Sequence, residues 1–333
     1  MRSEYERLLR DAEQVKAFSR RSLLVGSALG LALTADLAAT KFIQQQRNVV
    51  RLLPLRDDGA RQRFPASRWV LFPGYKTSWE ESLWILNSLR PALSRRAQMS
   101  AVGYSNQGLD IDNIVSALNR YVRNFQLETL YFYGHSFGGM VAVEVAARLS
   151  QRDISVEMIV LDSSPHSKFD VLDQQMFDGV VFLYEAGYRI PTVVRGGYEF
   201  GERVVHKNER SWRQIANQAL EQLSPLAPSS ELIQSQSSYI YHFDVTRFRD
   251  GLGDTKMAFI GNPGDAVVNY STTRPGWAEA FPRNMVSTDL VTASAVPAHA
   301  SPQWNPLIYQ ELLRTLQNEL IPLPPGGGRK YIS

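Results

Sequence analysis

Apolar positions along the 333-residue chain switch between two periods. Short, nearly continuous apolar runs at residues 68–72, 99–104, 130–133, 156–161 and 255–261 suit strands buried on both faces. Between them, helical spacing takes over. Leu83, Leu86, Leu89 and Leu93 share one face of a pattern over 79–95, residues 111–125 form an amphipathic repeat, and Ala142, Ala146 and Ala147 mark a third helix after residue 137. A strand-like run at 285–292 and a helical one at 306–320 close the series. Alternating strand and helix predicts an α/β protein with a mostly parallel central sheet and helices on both faces. Functional residues then belong at the carboxyl ends of the strands.

The alternation lapses from His166 to about Asp250. Helical patterns with aromatic faces replace it: Met176, Phe177, Val180 and Tyr184, then Trp212, Ile215, Ala219 and Leu223, then 233–241. Pro225, Pro228, Ser229 and Ser230 punctuate them. The chain therefore divides into an N-terminal segment (1–40), a linker with one strand-like stretch (41–66), a first core part (67–165), a helical insertion (166–250), a second core part (251–320) and a Pro- and Gly-rich flexible tail (321–333).

The N-terminal segment has its own pattern. A polar, charged start leads to Arg20-Arg21, an uncharged stretch over 22–35, and small residues at Ala38, Ala39 and Thr40. It resembles a bacterial twin-arginine export signal, which implies a folded protein sent to the cell envelope. Fourteen uncharged residues span roughly 21 Å as a helix, short of the roughly 30 Å hydrocarbon core. An uncleaved segment continued to Thr40 reaches that length with Asp36 inside it, and would anchor the chain to a membrane. An amphipathic helix on a cytoplasmic protein is the alternative.

The densest chemical signal is Gly134-His135-Ser136-Phe137-Gly138, set between the 130–133 strand and the alanine-rich helix. A serine hydroxyl is a weak nucleophile near neutral pH. It needs a base beside it and donors waiting for the oxyanion. A sharp strand-to-helix turn supplies that exposure and crowds the backbone, so the positions two before and two after must lack a Cβ. The bare G-x-S-x-G pattern would turn up by accident in about one chain of this length in ten. The flanking strand and helix make it specific. In that setting the residues resemble the nucleophile elbow of the α/β-hydrolase fold, over about 68–320.

The resemblance implies further roles. Pro73-Gly74-Tyr75 stands where relatives carry His-Gly-X, which would make the N–H groups of Tyr75 and Phe137 the oxyanion hole; a plain turn is the alternative. The triad acid is expected after the 255–261 strand, where Asp265 lies, with Asp162 one strand earlier as the alternative acid. The base is expected after the last strand, where His299 lies, and the order Ser136, Asp265, His299 agrees with the fold. The insertion corresponds to a helical cap. His135 is read as a packing or hydrogen-bonding residue turned away from the site, and His166, His206 and His242 as surface or cap residues.

Composition narrows the chemistry. No cysteine is present, which excludes disulfides, thiolate catalysis and Cys-based metal sites. The five histidines lack zinc-hydrolase spacing, and no metal or other cofactor is expected. A net charge of +3 without a basic stripe gives no nucleic-acid partner. The expected activity is a serine hydrolase cleaving small-molecule or lipid esters through an acyl-enzyme. A serine nucleophile argues against the aspartate-dependent epoxide hydrolases and dehalogenases of the same fold. Two alternatives stand: an acyl-carrier thioesterase, whose elbow residues 134–149 also resemble, and a non-catalytic binding module on the same fold.

Overall fold

A computed structural model describes residues 45–172 and 228–321. The export-like segment, the insertion patterns at 176–184 and 212–223, His206, and the tail after residue 321 lie outside the described residues.

The elements run in the order β1 (Arg51–Leu55), α1 (Asp58–Arg63), β2 (Ser67–Phe72), α2 (Trp79–Leu93), β3 (Gln98–Gly103), α3 (Ile111–Phe125), β4 (Thr129–His135), α4 (Phe137–Ser150) and β5 (Met158–Asp162). After the break come α5 (Ser230–His242), a 3₁₀ turn (Val245–Phe248), β6 (Lys256–Gly261), α6 (Tyr270–Ala280), β7 (Leu290–Val291) and α7 (Pro306–Leu320). The seven strands form one sheet in the order β1-β3-β2-β4-β5-β6-β7, parallel except for β1.

Each strand's period of two serves two cores. In β2, Trp69 and Leu71 face one side, where Ile85, Leu86 and Leu89 of α2 and Leu313 and Leu316 of α7 pack on them. Val70 and Phe72 face the other, beneath α3 and α4. All four of these β2 side chains are fully buried, as expected of a parallel sheet covered on both faces. Within the stretch 41–66, β1 pairs antiparallel with β3 at the sheet edge and carries Pro54, which an edge strand tolerates.

One sequence expectation needs correction. The run 285–292 is not one strand: Met285 makes an isolated bridge to Met257, polar Ser287, Thr288 and Asp289 intervene, and only Leu290–Val291 pair with β6. Helix α6 was not foreseen, because Pro275 and Gly276 sit inside it and read as breakers.

Strand order reverses at β2. The chain goes outward to β3, then returns across β2 to β4, so a crevice opens above the carboxyl ends of β2 and β4. Register sets the height: Phe72 pairs with Gly134, His135 with Asp162, Asp162 with Ile260, and Gly261 with Val291. The loops after β2, β4, β6 and β7 therefore leave the sheet along one rim.

Candidate active site

Ser136 sits where β4 gives way to α4. Its backbone has φ 51° and ψ −125°, a strained conformation for a residue with a Cβ. Crowding around the turn explains its neighbours. A Cβ on Gly134 would overlap the backbone of Gly139, and one on Gly138 would overlap the carbonyl of Phe72 and lie 2.7 Å from that of Pro73. Ser136 also occupies the N-cap position of α4, yet its side chain makes no capping bond. A serine there ordinarily contributes about 1 kcal/mol by capping. Its Oγ is committed elsewhere, 2.9 Å from Nε2 of His299.

His299 completes a chain. Its Nδ1 lies 2.8 Å from Oδ2 of Asp265, so the Nδ1–H donates to the carboxylate and Nε2 is left to accept the Ser136 proton. The other Asp265 oxygen accepts the N–H groups of Val267 and Val268, at 2.8 and 3.0 Å. Burial by itself would raise this carboxyl. The charge and hydrogen bond of His299 and the two backbone donors outweigh it, and Asp265 is held below the usual carboxylate range.

Asp162, the alternative acid, is elsewhere. It ends β5, is fully buried, and accepts the phenol of Tyr133 at 2.8 Å, while its Oδ1 has no partner among the described residues. Burial pushes it up to about 7, only partly offset by Tyr133, His299 and Tyr309. The carboxylate hydrogen-bonded to His299 is that of Asp265.

Of the two oxyanion candidates, Tyr75 lines the same cavity as Ser136, and Phe137 directly follows the serine in the chain. A cavity of about 260 Å³ is lined by Tyr75, Ser136 and His299, with Lys76, Glu81 and Trp304 in its wall. Phe137 is the first residue of α4, so its N–H lacks a carbonyl one turn earlier to receive it, and the positive end of the helix dipole lies beside the serine.

His135 has a larger part than the sequence suggested. Rather than turning away, it lines the cavity, and its Nε2 donates to the carbonyl of Ala300, next to His299, at 2.7 Å. A Cβ on Gly74 would come within 2.6 Å of its Nδ1, so one ring spans the loop after β2 and the loop after β7. Burial, then the neighbouring His299, lower His135 to about 4, which keeps it neutral. Of the other histidines, His166 pairs with Asp170 at the start of the insertion and His242 ends α5.

Comparison with known proteins agrees with this architecture. A thioesterase domain model matches residues 82–178. Among solved structures, the chain is similar to an enol-lactonase from Burkholderia xenovorans LB400 (14% identity, TM-score 0.57, covering 81% of this chain and 95% of that one). It is also similar to a thermophilic esterase from Thermogutta terrifontis (12%, 0.57, 82% and 93%) and to a meta-cleavage product hydrolase from Pseudomonas fluorescens IP01 (16%, 0.55, 81% and 93%). The comparison with curated proteins finds no match. Sheet order, elbow and these structural likenesses together give one conclusion: the chain has the α/β-hydrolase fold.

Proposed function

We propose that this protein is a cofactor-independent serine hydrolase that cleaves carboxylic esters or related acyl compounds through an acyl-enzyme. The observation that carries the reading is the unbroken hydrogen-bond chain Ser136 Oγ, His299, Asp265 above the strand-order reversal.

The chemistry follows from the geometry. Nε2 of His299 takes the Ser136 proton as Oγ bonds to the substrate carbonyl carbon, and Asp265, held ionised, stabilises the imidazolium. The N–H groups of Phe137 and Tyr75 receive the oxyanion. When the tetrahedral adduct collapses, the bond to the leaving group breaks and His299 gives it the proton. A water deprotonated by His299 then attacks the acyl-serine and frees the acid and Ser136. Lys76 and Glu81 in the wall of the cavity favour a polar acyl compound.

The thioesterase match over residues 82–178 favours a second reading, an acyl thioester as substrate. The steps are the same with a thiolate leaving. Rates on short 4-nitrophenyl esters against the matching acyl thioesters decide between the two. Ser136→Ala should lower kcat on the preferred substrate by about 10⁴-fold or more; a folded alanine variant with full activity would refute both.

A further inference from the structure

We infer that the insertion holds the oxyanion loop in its working shape through helix α5, with Gln236 as the positioning residue. The inference rests on the serine-hydrolase reading above and assigns that site a control outside the triad.

The loop after β2 is a four-residue turn, Gly74-Tyr75-Lys76-Thr77, closed by the Thr77 N–H on the Gly74 carbonyl at 3.3 Å. Its third residue, Lys76, has φ 61°. Turns with positive φ at that position ordinarily place Gly or Asn there. A residue with a Cβ stays in that conformation only when its surroundings determine it.

The surroundings come from about 160 residues later in the chain. The Lys76 N–H donates to Oε1 of Gln236 at 3.2 Å. On the preceding residue, the Tyr75 hydroxyl lies 2.8 Å from Oγ of Ser237. Ser237 already donates its single hydroxyl proton to the Ile233 carbonyl at 3.1 Å, so Tyr75 is the donor in that pair. Two adjacent side chains of α5 thus fix the Tyr75 side chain and the peptide that follows it. The N–H of Tyr75, one peptide earlier, is the group that must point into the cavity beside Ser136.

Gln236 bears the marks of a residue kept for this contact. It is 1% exposed, and its Nε2 has no hydrogen-bond partner among the described residues. The Lys76 N–H demands an oxygen, which fixes the amide orientation and leaves the nitrogen as the end without a partner among the described residues. A half-satisfied buried amide is unfavourable, so an apolar side chain would serve packing better at this position. Aim of the oxyanion donor supplies the reason for retaining it.

Gln236→Met keeps the volume and removes the acceptor. On 4-nitrophenyl acetate its kcat should fall about 10- to 100-fold, less than or comparable to deleting an oxyanion donor outright, with KM within about threefold. Affinity for an alkyl trifluoromethyl ketone, which forms a tetrahedral adduct on the serine, should weaken by the same factor as kcat/KM. Ser237→Ala should move both quantities in the same direction by a smaller factor, and it carries the test should Gln236→Met not fold. A folded Gln236→Met or Ser237→Ala variant with the wild-type kcat and ketone affinity, or with a loss confined to KM, overturns the inference. A wild-type protein inert to esters, thioesters and a fluorophosphonate alike overturns the hydrolase reading itself, and the two failures are thereby distinct.

Discussion

Ser136 and its hydrogen-bond partners are held by different physics. Ser136 sits between a central strand and a buried helix, and backbone geometry fixes it: the paired ends of β2, β4 and β5, and glycines at positions where a Cβ would strike the main chain. Asp265 and His299 stand on loops of the other half, beyond the short β6–β7 pairing, where few ladder bonds reach. There, side chains do what the sheet does for Ser136. The Asn262 amide holds the Thr292 carbonyl, and Asn305 bonds Val296 on both sides of its backbone and Ser301. The Tyr309 hydroxyl takes the Ser301 N–H at 2.9 Å, and His135 takes hold of Ala300. A steric constraint fails all at once when violated. A hydrogen-bonded loop loosens by degrees.

The elbow side should therefore give the largest single effect on folding. Gly138→Ala forces a methyl group into the Phe72 carbonyl, and we expect a loss of about 3–5 kcal/mol, read as a steep drop in the denaturant midpoint or in soluble yield. On the loop side the largest effect is chemical. Asp265→Asn retains the shape but reverses the hydrogen-bond preference toward His299, so kcat should fall by about 10⁴-fold while Tm moves by only a few degrees. Asn305→Ala sharpens the contrast further. It removes bonds that hold the His299 loop from an exposed face, and should cost about 1–2 kcal/mol of stability with a roughly 3- to 10-fold fall in kcat. Equal losses of stability from Gly138→Ala and Asn305→Ala would erase the distinction.

Two buried titrating groups beneath the site give a smaller, pH-dependent effect. His135 is lowered from 6.5 to about 4. Between those values the unfolded chain binds more protons than the folded one, so this residue makes stability fall as pH drops through that window. Asp162 is raised from 3.8 to about 7. There the folded chain holds the extra proton, so stability falls as pH rises through that window. The two slopes oppose each other between about pH 4 and 6.5. His135→Gln, which keeps a donor for Ala300, should expose the Asp162 slope and make the protein less stable at pH 7 than at pH 5. Asp162→Asn should expose the opposite slope. Thermal melts across that range check both signs.

Much of this was legible in the sequence, for reasons that differ by region. Parallel strands buried on both faces read as apolar runs, which located β2 to β6, and the elbow advertised itself because one turn geometry demands small residues at fixed offsets. Chain order then pointed to Asp265 and His299, and the structure brings both to Ser136. Helix α6 was hidden by its internal Pro275-Gly276, and β7 by its two-residue length. Nothing in the sequence could connect Lys76 with Gln236 or His135 with Ala300, because those contacts join residues about 160 apart and depend on where the rim loops meet. Gln236 lies in the polar run Gln234-Ser235-Gln236-Ser237-Ser238 and is nonetheless buried.

The central claim is that the Ser136 hydroxyl is made nucleophilic by His299. Reaction with a fluorophosphonate probe, followed by intact mass and peptide mapping, tests it most directly. The account predicts one phosphonyl group on Ser136 of the wild-type protein, and at least a hundredfold slower labelling of folded His299→Ala. Labelling at another residue, or labelling of Ser136 at the same rate without the imidazole, would contradict it.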